Sequence, residues 1–519
     1  MDKSDNSKEE YARLKKEVED EMAKNDESTY RNVPVIAIYD VRGIQAYIFR
    51  TNKLREIEGA SMIVNNIFID SLNEVIKEEN KKEVSYTDWA NNSEYRFADE
   101  KTEIEVISSS AGNTTVLFRS GDLCKKINRR LSFLIIDKTY SLNLAIAVIP
   151  KTDNYKNDYT KLKIKLGIIK AKMSYVSFQN SFPLTRKDIN NNPESEYSPY
   201  RLKWVSQEVY HKLQKLGEVK GAKQLDEMKI EKNIAIVHID GNGIGGFVTE
   251  NMKSPTEYSE AVKKIRKTSN TINQSFNIGP IDEAKSRLEE WKKRQAGIDE
   301  SKSYFREVIN AGDDITFVCA AEIAMSLCEI YINKLKENES GFTACAGIAY
   351  IGSHFPFSSG YEIAEKCCDN AKKEMRKKSD KGYWIDFQIV RSMINDFKEY
   401  REKNYMREEY SLISRPYCMD EGNDNFTVFK KYIEHFQNPK TVPKSWCKEL
   451  RNAYDTGKTA ASVVTSKMQS RGHRLPVDNY DLYDETKKTA LYFDALEMME
   501  LYEDIMPIPK KKDGGGEKS

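Results

Sequence analysis

The sequence lacks several features that would place it in particular classes of protein. None of its eight cysteines belongs to a Cys-x-x-Cys pair, and none of its five histidines is followed by aspartate. We therefore expect neither a zinc site nor a disulfide framework, but reduced structural thiols. No apolar run approaches the ~20 residues of a membrane helix, and the N-terminus is charged, so the sequence predicts a cytoplasmic protein that does not contact a membrane.

An excess of charge of either sign is also missing. The 82 basic and 81 acidic residues give a net charge of +1, so no global field favours nucleic-acid binding and any such surface must be local. Hydrophobic residues make up 39% of the chain, enough for real cores, and 519 residues allow two to four domains.

Asp313 and Asp314 lie side by side at the predicted tip of a β-hairpin, residues 306–318. Apolar, β-prone runs flank the turn, and Gly312 can take the positive φ that a tight turn often needs. Adjacent carboxylates repel each other, and a divalent cation that takes carboxylate and phosphate oxygens together gives a reason for the pair. The alternative is a solvated acidic turn.

A second element lies 73 positions before Asp313. Residues 233–239 form a nearly continuous apolar run that predicts a buried strand, and this strand ends in Asp240. Such a strand, then a helix, then an acidic hairpin is the metal-binding layout of palm-type nucleotide polymerases and cyclases. The stretch 241–246 also matches the dinucleotide-binding pattern GxGxxG, but an aspartate directly before that loop would repel a pyrophosphate.

Both elements recur at a fixed offset of 200 residues. The matching pairs are Asp40 and Asp240, Gly43 and Gly243, Ile44 and Ile244, Ala111 and Ala311, and Gly112 and Gly312. Asn113 and Thr114 stand where the second copy has its two adjacent aspartates. We infer two copies of one fold, of which the first has lost its acidic tip.

The predicted fold class is α+β, with two tandem ferredoxin-like palm domains and a helical C-terminal domain. The last of these includes an amphipathic helix predicted over 489–502. The predicted segments are a charged lead-in 1–32, a degenerate first palm 33–150, a helical and loop segment 151–232, a catalytic second palm 233–382, a helical domain 383–508 and a flexible tail 509–519.

These motifs resemble the large polymerase/cyclase subunit of type III CRISPR effector complexes. Residues 40–45 (DVRGIQ) and 58–61 (EGAS) are similar to that family's first palm, and 311–314 (AGDD) to its GGDD signature. The stretches 346–349 (AGIA), 354–357 (HFPF) and 371–373 (AKK) follow in the family's order. The similarity covers about residues 34–150 and 233–380.

The sequence departs from the family pattern at several points. Ala311 replaces the first glycine of the signature, and His354 stands where the family usually carries lysine. The His-Asp nuclease motif and the zinc-binding cysteine pairs between the palms are missing. The resemblance therefore implies a minimal variant without the N-terminal nuclease domain.

The predicted chemistry is the attack of a ribose hydroxyl on the α-phosphate of ATP or another NTP, which yields a cyclic nucleotide or cyclic oligonucleotide. Asp240 and Asp313 would bridge two Mg²⁺ or Mn²⁺ ions, with the Gly241 carbonyl as a further ligand. Asp314 would be an outer ligand or a ligand of the second metal, and Lys372 would contact the triphosphate.

The nucleotide is also expected to contact the glycine positions Gly243 and Gly312. In a single-chain pseudo-dimer of palms, the first copy would hold the acceptor nucleotide through backbone N–H groups of a helix start at Gly59–Ser61. The expected partners are the NTP and, for a member of a CRISPR complex, RNA or other subunits.

Two other functions remain open. A catalytically idle scaffold could use the palms to bind RNA or partner subunits, since the first copy already lacks the acids of its tip. A diguanylate-cyclase-like enzyme would share the palm, but such enzymes pair two identical chains, whereas this chain carries two copies.

Because no histidine precedes an aspartate, we expect the chain not to cleave single-stranded DNA with Mn²⁺ or Ni²⁺. The measurement is a time course on labelled oligonucleotide across the fractions of a repeated purification. Cleavage that co-elutes with the protein peak would contradict this expectation.

Overall fold

The computed structural model describes most of the chain in several stretches. The described residues are 3–24, 30–110, 112–174, 186–188, 193–199, 201–220, 233–253, 255–295, 304–379, 381–420, 422, 425–477 and 481–506. The predicted tail 509–519, Ala111 and part of the 151–232 segment lie outside them.

The first copy is built on a five-stranded sheet in the order β2-β3-β4-β1-β5. Its strands are β1 (Val35–Arg42), β2 (Ser85–Tyr86), β3 (Ile104–Ser110), β4 (Asn113–Phe118) and β5 (Asn143–Pro150). Strand β1 pairs antiparallel with both β4 and β5, and the register places Asp40 opposite Asn113. The central strand of this sheet therefore ends next to the degenerate tip.

The second copy is built on a six-stranded sheet in the order β15-β12-β11-β8-β10-β9. Its strands are β8 (Asn233–Gly241), β9 (Phe305–Ala311), β10 (Asp314–Ala320), β11 (Ala344–Gly352), β12 (Trp384–Ile389) and β15 (Tyr417–Cys418). Read from its β9 edge, the sheet repeats the order of the first copy, with β8, β10 and β11 in the places of β1, β4 and β5.

The glycines of the repeat share a backbone conformation as well. Gly43 and Gly243 have φ of 86° and 72°, and Gly112 and Gly312 have φ of 81° and 69°. Other residues rarely adopt these left-handed angles, which explains why glycine stands at both positions of both copies. The predicted duplication and the predicted α+β fold are thus confirmed in the sheet order and in the turns.

The helices cover these sheets and form most of the C-terminal part. Their bounds are α1 (Lys3–Lys24), α2 (Ile44–Ile48), α3 (Leu54–Glu78), α4 (Gly121–Thr139), α5 (Tyr155–Lys172), α6 (Gln207–Lys220), α7 (Ile244–Lys253), α8 (Tyr258–Asn273), α9 (Gly279–Arg294), α10 (Ala324–Lys336), α11 (Phe357–Lys378), α12 (Phe397–Tyr405), α13 (Asn425–Gln437), α14 (Lys444–Thr456), α15 (Lys458–Ser470) and α16 (Phe493–Met498). A π-helical turn, Gln274–Ile278, joins α8 to α9.

The remaining strands are short. They are β6 (Glu194–Ser198) with β7 (Lys203–Ser206), which form a hairpin, and a four-stranded sheet of two-residue strands. That sheet contains β13 (Met406–Arg407), β14 (Tyr410–Ser411), β16 (Tyr483–Asp484) and β17 (Thr489–Ala490).

The chain divides into two compact units that do not coincide with the two copies. The first unit contains Met1–Asp226, Gly243–Asn277 and Glu307–Ile315, and the second contains Glu227–Asn242, Ile278–Arg306 and Thr316–Ser519. Helices α7 and α8 and the acidic turn of the second copy therefore belong to the unit built around the first sheet. The predicted division at 232 separates elements that pack together.

The packing of α8 shows why the first unit extends beyond the first copy. Its residues Val262 and Ile265 belong to the same buried cluster as Ile38 and Ala147 of the first sheet. Arg266, only 1% exposed, forms an ion pair of 2.9 Å with the buried Glu105. Its guanidinium also donates to four backbone carbonyls, those of Asn92, Glu94, Val106 and Ile107.

Several predicted boundaries need correction. The charged lead-in contains α1, which packs against α5 because Leu14 and Val18 are buried on one of its faces. Strand β12 begins after the predicted end of the second palm at 382, yet it pairs parallel with β11. The amphipathic helix predicted over 489–502 is wrong, since only α16 is helical there and all six of its residues are buried.

The expectation of a helix start at Gly59–Ser61 is also wrong. Helix α3 begins at Leu54, so the amides of Gly59 and Ser61 lie beyond the first turn, where N–H groups bond within the helix. A Cβ on Gly59 would overlap the backbone carbonyl of Lys212 in α6, and Ser61 is 3% exposed. These residues allow α3 and α6 to pack closely, and they are not available to a nucleotide through their backbone.

We expect Gly59→Ala to destabilise the protein, because α6 must move away to admit the new methyl group. Overpacking of this kind typically costs about 1–3 kcal/mol, more than the ~1 kcal/mol that alanine gains over glycine in a helix. Gly167→Ala in α5 is the matched control, since a Cβ there meets no atom within 4 Å. Thermal unfolding should show a lower midpoint for Gly59→Ala alone, and equal midpoints would contradict the close packing.

Candidate active site

An aspartate and a lysine meet at the end of β8. Lys372 of α11 donates a hydrogen bond to Oδ2 of Asp240, and its Nζ lies 3.4 Å from the carbonyl oxygen of Gly241. The lysine side chain is 12% exposed and the aspartate side chain is 36% exposed. The structure thus unites three residues that the sequence assigned to metal and triphosphate binding.

Close packing of α11 on the sheet places Lys372 there. A Cβ on Gly347 of β11 would overlap the backbone of Ala364 and Cys368 in α11, so only glycine allows the helix to come so near. Asn370, two residues before the lysine, donates a hydrogen bond of 2.8 Å to Asp386. The fully buried Asp386 in turn binds both terminal nitrogens of Arg401 at 2.8 and 3.0 Å.

The Asp240 carboxylate controls the charge of Lys372. Burial alone would lower the pKa of this lysine, but the negative charge of Asp240 and the hydrogen bond to it outweigh burial, so the pKa is raised. The ammonium therefore stays protonated at neutral pH. It presents a fixed positive charge to any anionic group that approaches the end of β8.

His238 lies two residues before Asp240 and is 4% exposed. Its Nδ1 lies 3.1 Å from the hydroxyl oxygen of Thr316 in β10, so this contact joins the two neighbouring strands below the acidic ends. Burial lowers the pKa of His238 to about 4, while Asp240 opposes the shift. The ring is therefore neutral at physiological pH, a structural role that we did not predict from the sequence.

The acidic turn lies between β9 and β10. Gly312 and Asp313 form the turn itself, and Asp314 is the first residue of β10. The predicted hairpin is therefore present, and Ala311 ends β9 in an extended position that does not require glycine. The sheet order places the strand that follows the acidic turn beside the strand that carries Asp240.

The first copy contains a related pair that the sequence reasoning missed. Lys170 of α5 forms an ion pair of 2.6 Å with Asp40, and Asn113 donates to the other carboxylate oxygen over 3.3 Å. Lys170 and Lys372 are 202 residues apart, and each lies on the helix that follows the fourth of the strands shared by the two copies, β5 or β11. Aligning the two copies at an offset of 202 instead of 200 residues would have matched Lys170 with Lys372.

The donor chemistry of the second copy fits a hard divalent cation. The Lys372 ammonium marks a point on which a carboxylate and a carbonyl oxygen converge, and such oxygens are the ligands that Mg²⁺ and Mn²⁺ prefer. No cluster of three or more His, Cys, Asp or Glu side chains arranged for a metal occurs within the described ranges. A ready-made site formed by protein side chains alone is therefore not observed there.

Solved structures show which fold this is. The chain is similar to the apo Csm1–Csm4 cassette (TM-score 0.51, 13% identity), with 92% of this chain and 70% of that chain covered. It is also similar to that cassette in complex with pppApA (TM-score 0.50, 13% identity), with 91% of this chain and 69% of that chain covered. A third similar structure is Csm1 in T. onnurineus (TM-score 0.51, 12% identity), with 91% of this chain and 70% of that chain covered. The tandem palms with a C-terminal helical part are thus the fold of Csm1. No family model and no curated protein matches the chain.

Among the residues that the structure describes, no helix is long and apolar enough to cross a membrane.

We expect the buried His238 to make the fold sensitive to acid. In the unfolded chain this histidine takes a proton near pH 6.5, whereas in the fold it does so near 4. Its contribution is therefore fully present above pH 6.5 and is lost as the pH falls towards 4, by up to about 3 kcal/mol. His238→Gln should flatten the fall in unfolding midpoint between pH 7 and 4, whereas the exposed His354→Gln should not. Parallel pH profiles for wild type and His238→Gln would contradict this assignment.

Proposed function

We propose that this chain is a metal-dependent nucleotidyltransferase that converts ATP to a cyclic nucleotide or cyclic oligonucleotide in CRISPR-type antiviral signalling. The bond formed joins a ribose hydroxyl oxygen to the α-phosphorus of ATP. The bond broken releases pyrophosphate, and the hydroxyl proton passes to solvent or to a neighbouring base.

The observation that carries this proposal is the difference between two copies that share one fold. Four strands of each sheet have the same order, yet only the second copy has an acidic turn in addition to its strand-end aspartate. In the first copy the register pairs Asp40 with the neutral Asn113. In the second copy, the position that corresponds to the neutral Asn113 carries the acidic Asp313.

Each residue then has a defined task. Asp240, Asp313 and the Gly241 carbonyl would hold Mg²⁺ or Mn²⁺, and Asp314 would complete the ligand set from the start of β10. The bound metal would lower the pKa of the attacking hydroxyl and neutralise charge on the phosphates. Lys372, already positive and fixed by α11, would move from Asp240 to the triphosphate oxygens.

The nucleotide specificity is inferred from the structural relatives. One of them holds pppApA. This compound is what one attack of an ATP ribose hydroxyl on the α-phosphate of a second ATP produces, together with pyrophosphate. Adenine nucleotides are therefore the first substrates to test here, and a Csm4-like subunit is the first protein partner to test.

We expect Asp313→Ala/Asp314→Ala to abolish nucleotide turnover, because the turn would no longer supply metal ligands. Its unfolding midpoint should stay the same or rise slightly, since two repelling charges are removed from a turn. The measurement is incubation of the purified protein with each NTP and Mg²⁺ or Mn²⁺, followed by mass spectrometry of the products.

Glu289→Ala/Glu290→Ala on α9 is the charge-matched control, because it also removes two adjacent exposed carboxylates. It should keep full turnover. Wild-type turnover by the Asp313→Ala/Asp314→Ala variant would show that the acids are not catalytic. Absence of any product from wild type, alone and with a Csm4-like partner, would favour the idle scaffold.

A further inference from the structure

We infer that Asn65 and Asn277 are positioning residues that hold the acidic turn, an inference that rests on the proposed function of that turn. The Asn65 amide donates to the carbonyl oxygen of Asn310 over 3.0 Å. The Asn277 amide donates to the carbonyl oxygen of Gly312 over 2.9 Å. All four residues belong to the same compact unit. The two carbonyls belong to the residues on either side of Ala311, and that of Gly312 directly precedes Asp313.

The turn needs such support because of its own sequence. Gly312 has a φ of 69°, and glycine samples positive and negative φ with nearly equal ease. A turn based on glycine is therefore poorly restrained by its own backbone preferences. Hydrogen bonds to the carbonyls on both sides of Ala311 fix the peptide planes that set the direction of the Asp313 side chain.

The position and hydrogen bonds of Asn277 fit this role. It lies in the π-helical turn, an element that is rare and often occurs at functional sites. Its Nδ2 donates to Asn273 Oδ1 and to Gly312 O, both over 2.9 Å, so the orientation of the amide is determined. The residue is 8% exposed, and within the described residues its Oδ1 accepts no hydrogen bond. The Asn277 amide thus makes both hydrogen bonds at its donor, Nδ2, and none at its acceptor, Oδ1.

Asn65 brings the degenerate copy into the same task. It lies on α3 of the first copy, 245 residues before the carbonyl that it binds. The first copy thereby helps to hold the acids of the second, although its own tip carries Asn113 and Thr114. Because the rigidity of a carboxylate site is one factor that sets its affinity for a cation, this support would matter for metal binding.

The test uses Asn65→Leu and Asn277→Leu in the full chain, which keep the size of the side chain and remove the donor. Asn270→Leu is the matched control, because Asn270 on α8 also donates to a carbonyl of the first copy, that of Ala90, but does not contact the turn. Asn65 and Asn270 are not fully buried, so Asn65→Leu remains informative if Asn277→Leu fails to fold.

Three measurements decide the outcome. In Asn65→Leu and Asn277→Leu, amide hydrogen exchange of the segment 306–318 should be at least fivefold faster than in wild type, with Asn270→Leu unchanged. The Mn²⁺ concentration for half-maximal turnover should rise at least fivefold, while kcat at saturating Mn²⁺ changes less than twofold. Mn²⁺ binding followed by electron paramagnetic resonance without nucleotide should weaken in parallel.

Unchanged exchange in both variants would overturn the inference, and it would do so even in a protein that turns over no nucleotide. Faster exchange with an unchanged requirement for Mn²⁺ would also overturn it, because the turn would then be held for stability alone. A wild-type protein that neither binds Mn²⁺ nor forms product would overturn the proposed function and the positioning role together.

Discussion

An aspartate at the end of a central strand needs a positive partner, and this requirement is met in both copies. The carboxylate lies among packed strands and helices, where an uncompensated charge is costly. Lys170 supplies the cation for Asp40, and Lys372 supplies it for Asp240. Each lysine comes from the helix that follows the fourth shared strand, so the helix must run close to the sheet. In the second copy, Gly347 allows α11 to lie close to the sheet. The hydrogen bond from Asn370 to Asp386 holds the helix in that place.

The two copies differ in what surrounds this shared ion pair. In the first, a neutral amide from Asn113 completes the hydrogen bonds of the carboxylate. In the second, the corresponding positions carry two further aspartates, Asp313 and Asp314. These acids are the basis for proposing a divalent cation together with a triphosphate, because such a cation takes carboxylate and phosphate oxygens together.

Much of the fold could be predicted from the sequence, because strands and turns leave local patterns. The apolar runs ending in Asp40 and Asp240 and the glycines with positive φ identified both sheets and their duplication. The pairing of Arg266 with Glu105, 161 residues away, could not be found in this way, since nothing near either residue indicates the other. The predicted boundary at 382 leaves strand β12 in the next domain, because its pairing with β11 has no local pattern in the sequence. The brief helix α16 is buried on all sides and therefore lacks the amphipathic pattern that would have marked its ends.

The burial of Arg266 in the first copy has a consequence for how a duplicated gene can diverge. Arg266 of the second copy donates to five acceptors of the first, so a side chain of the second copy is part of the interior of the first. Once such a contact is in place, deletion of the degenerate copy would leave a guanidinium without its acceptors. The residues at the tip of the first copy take no part in this contact, so they can change while the copy as a whole is retained.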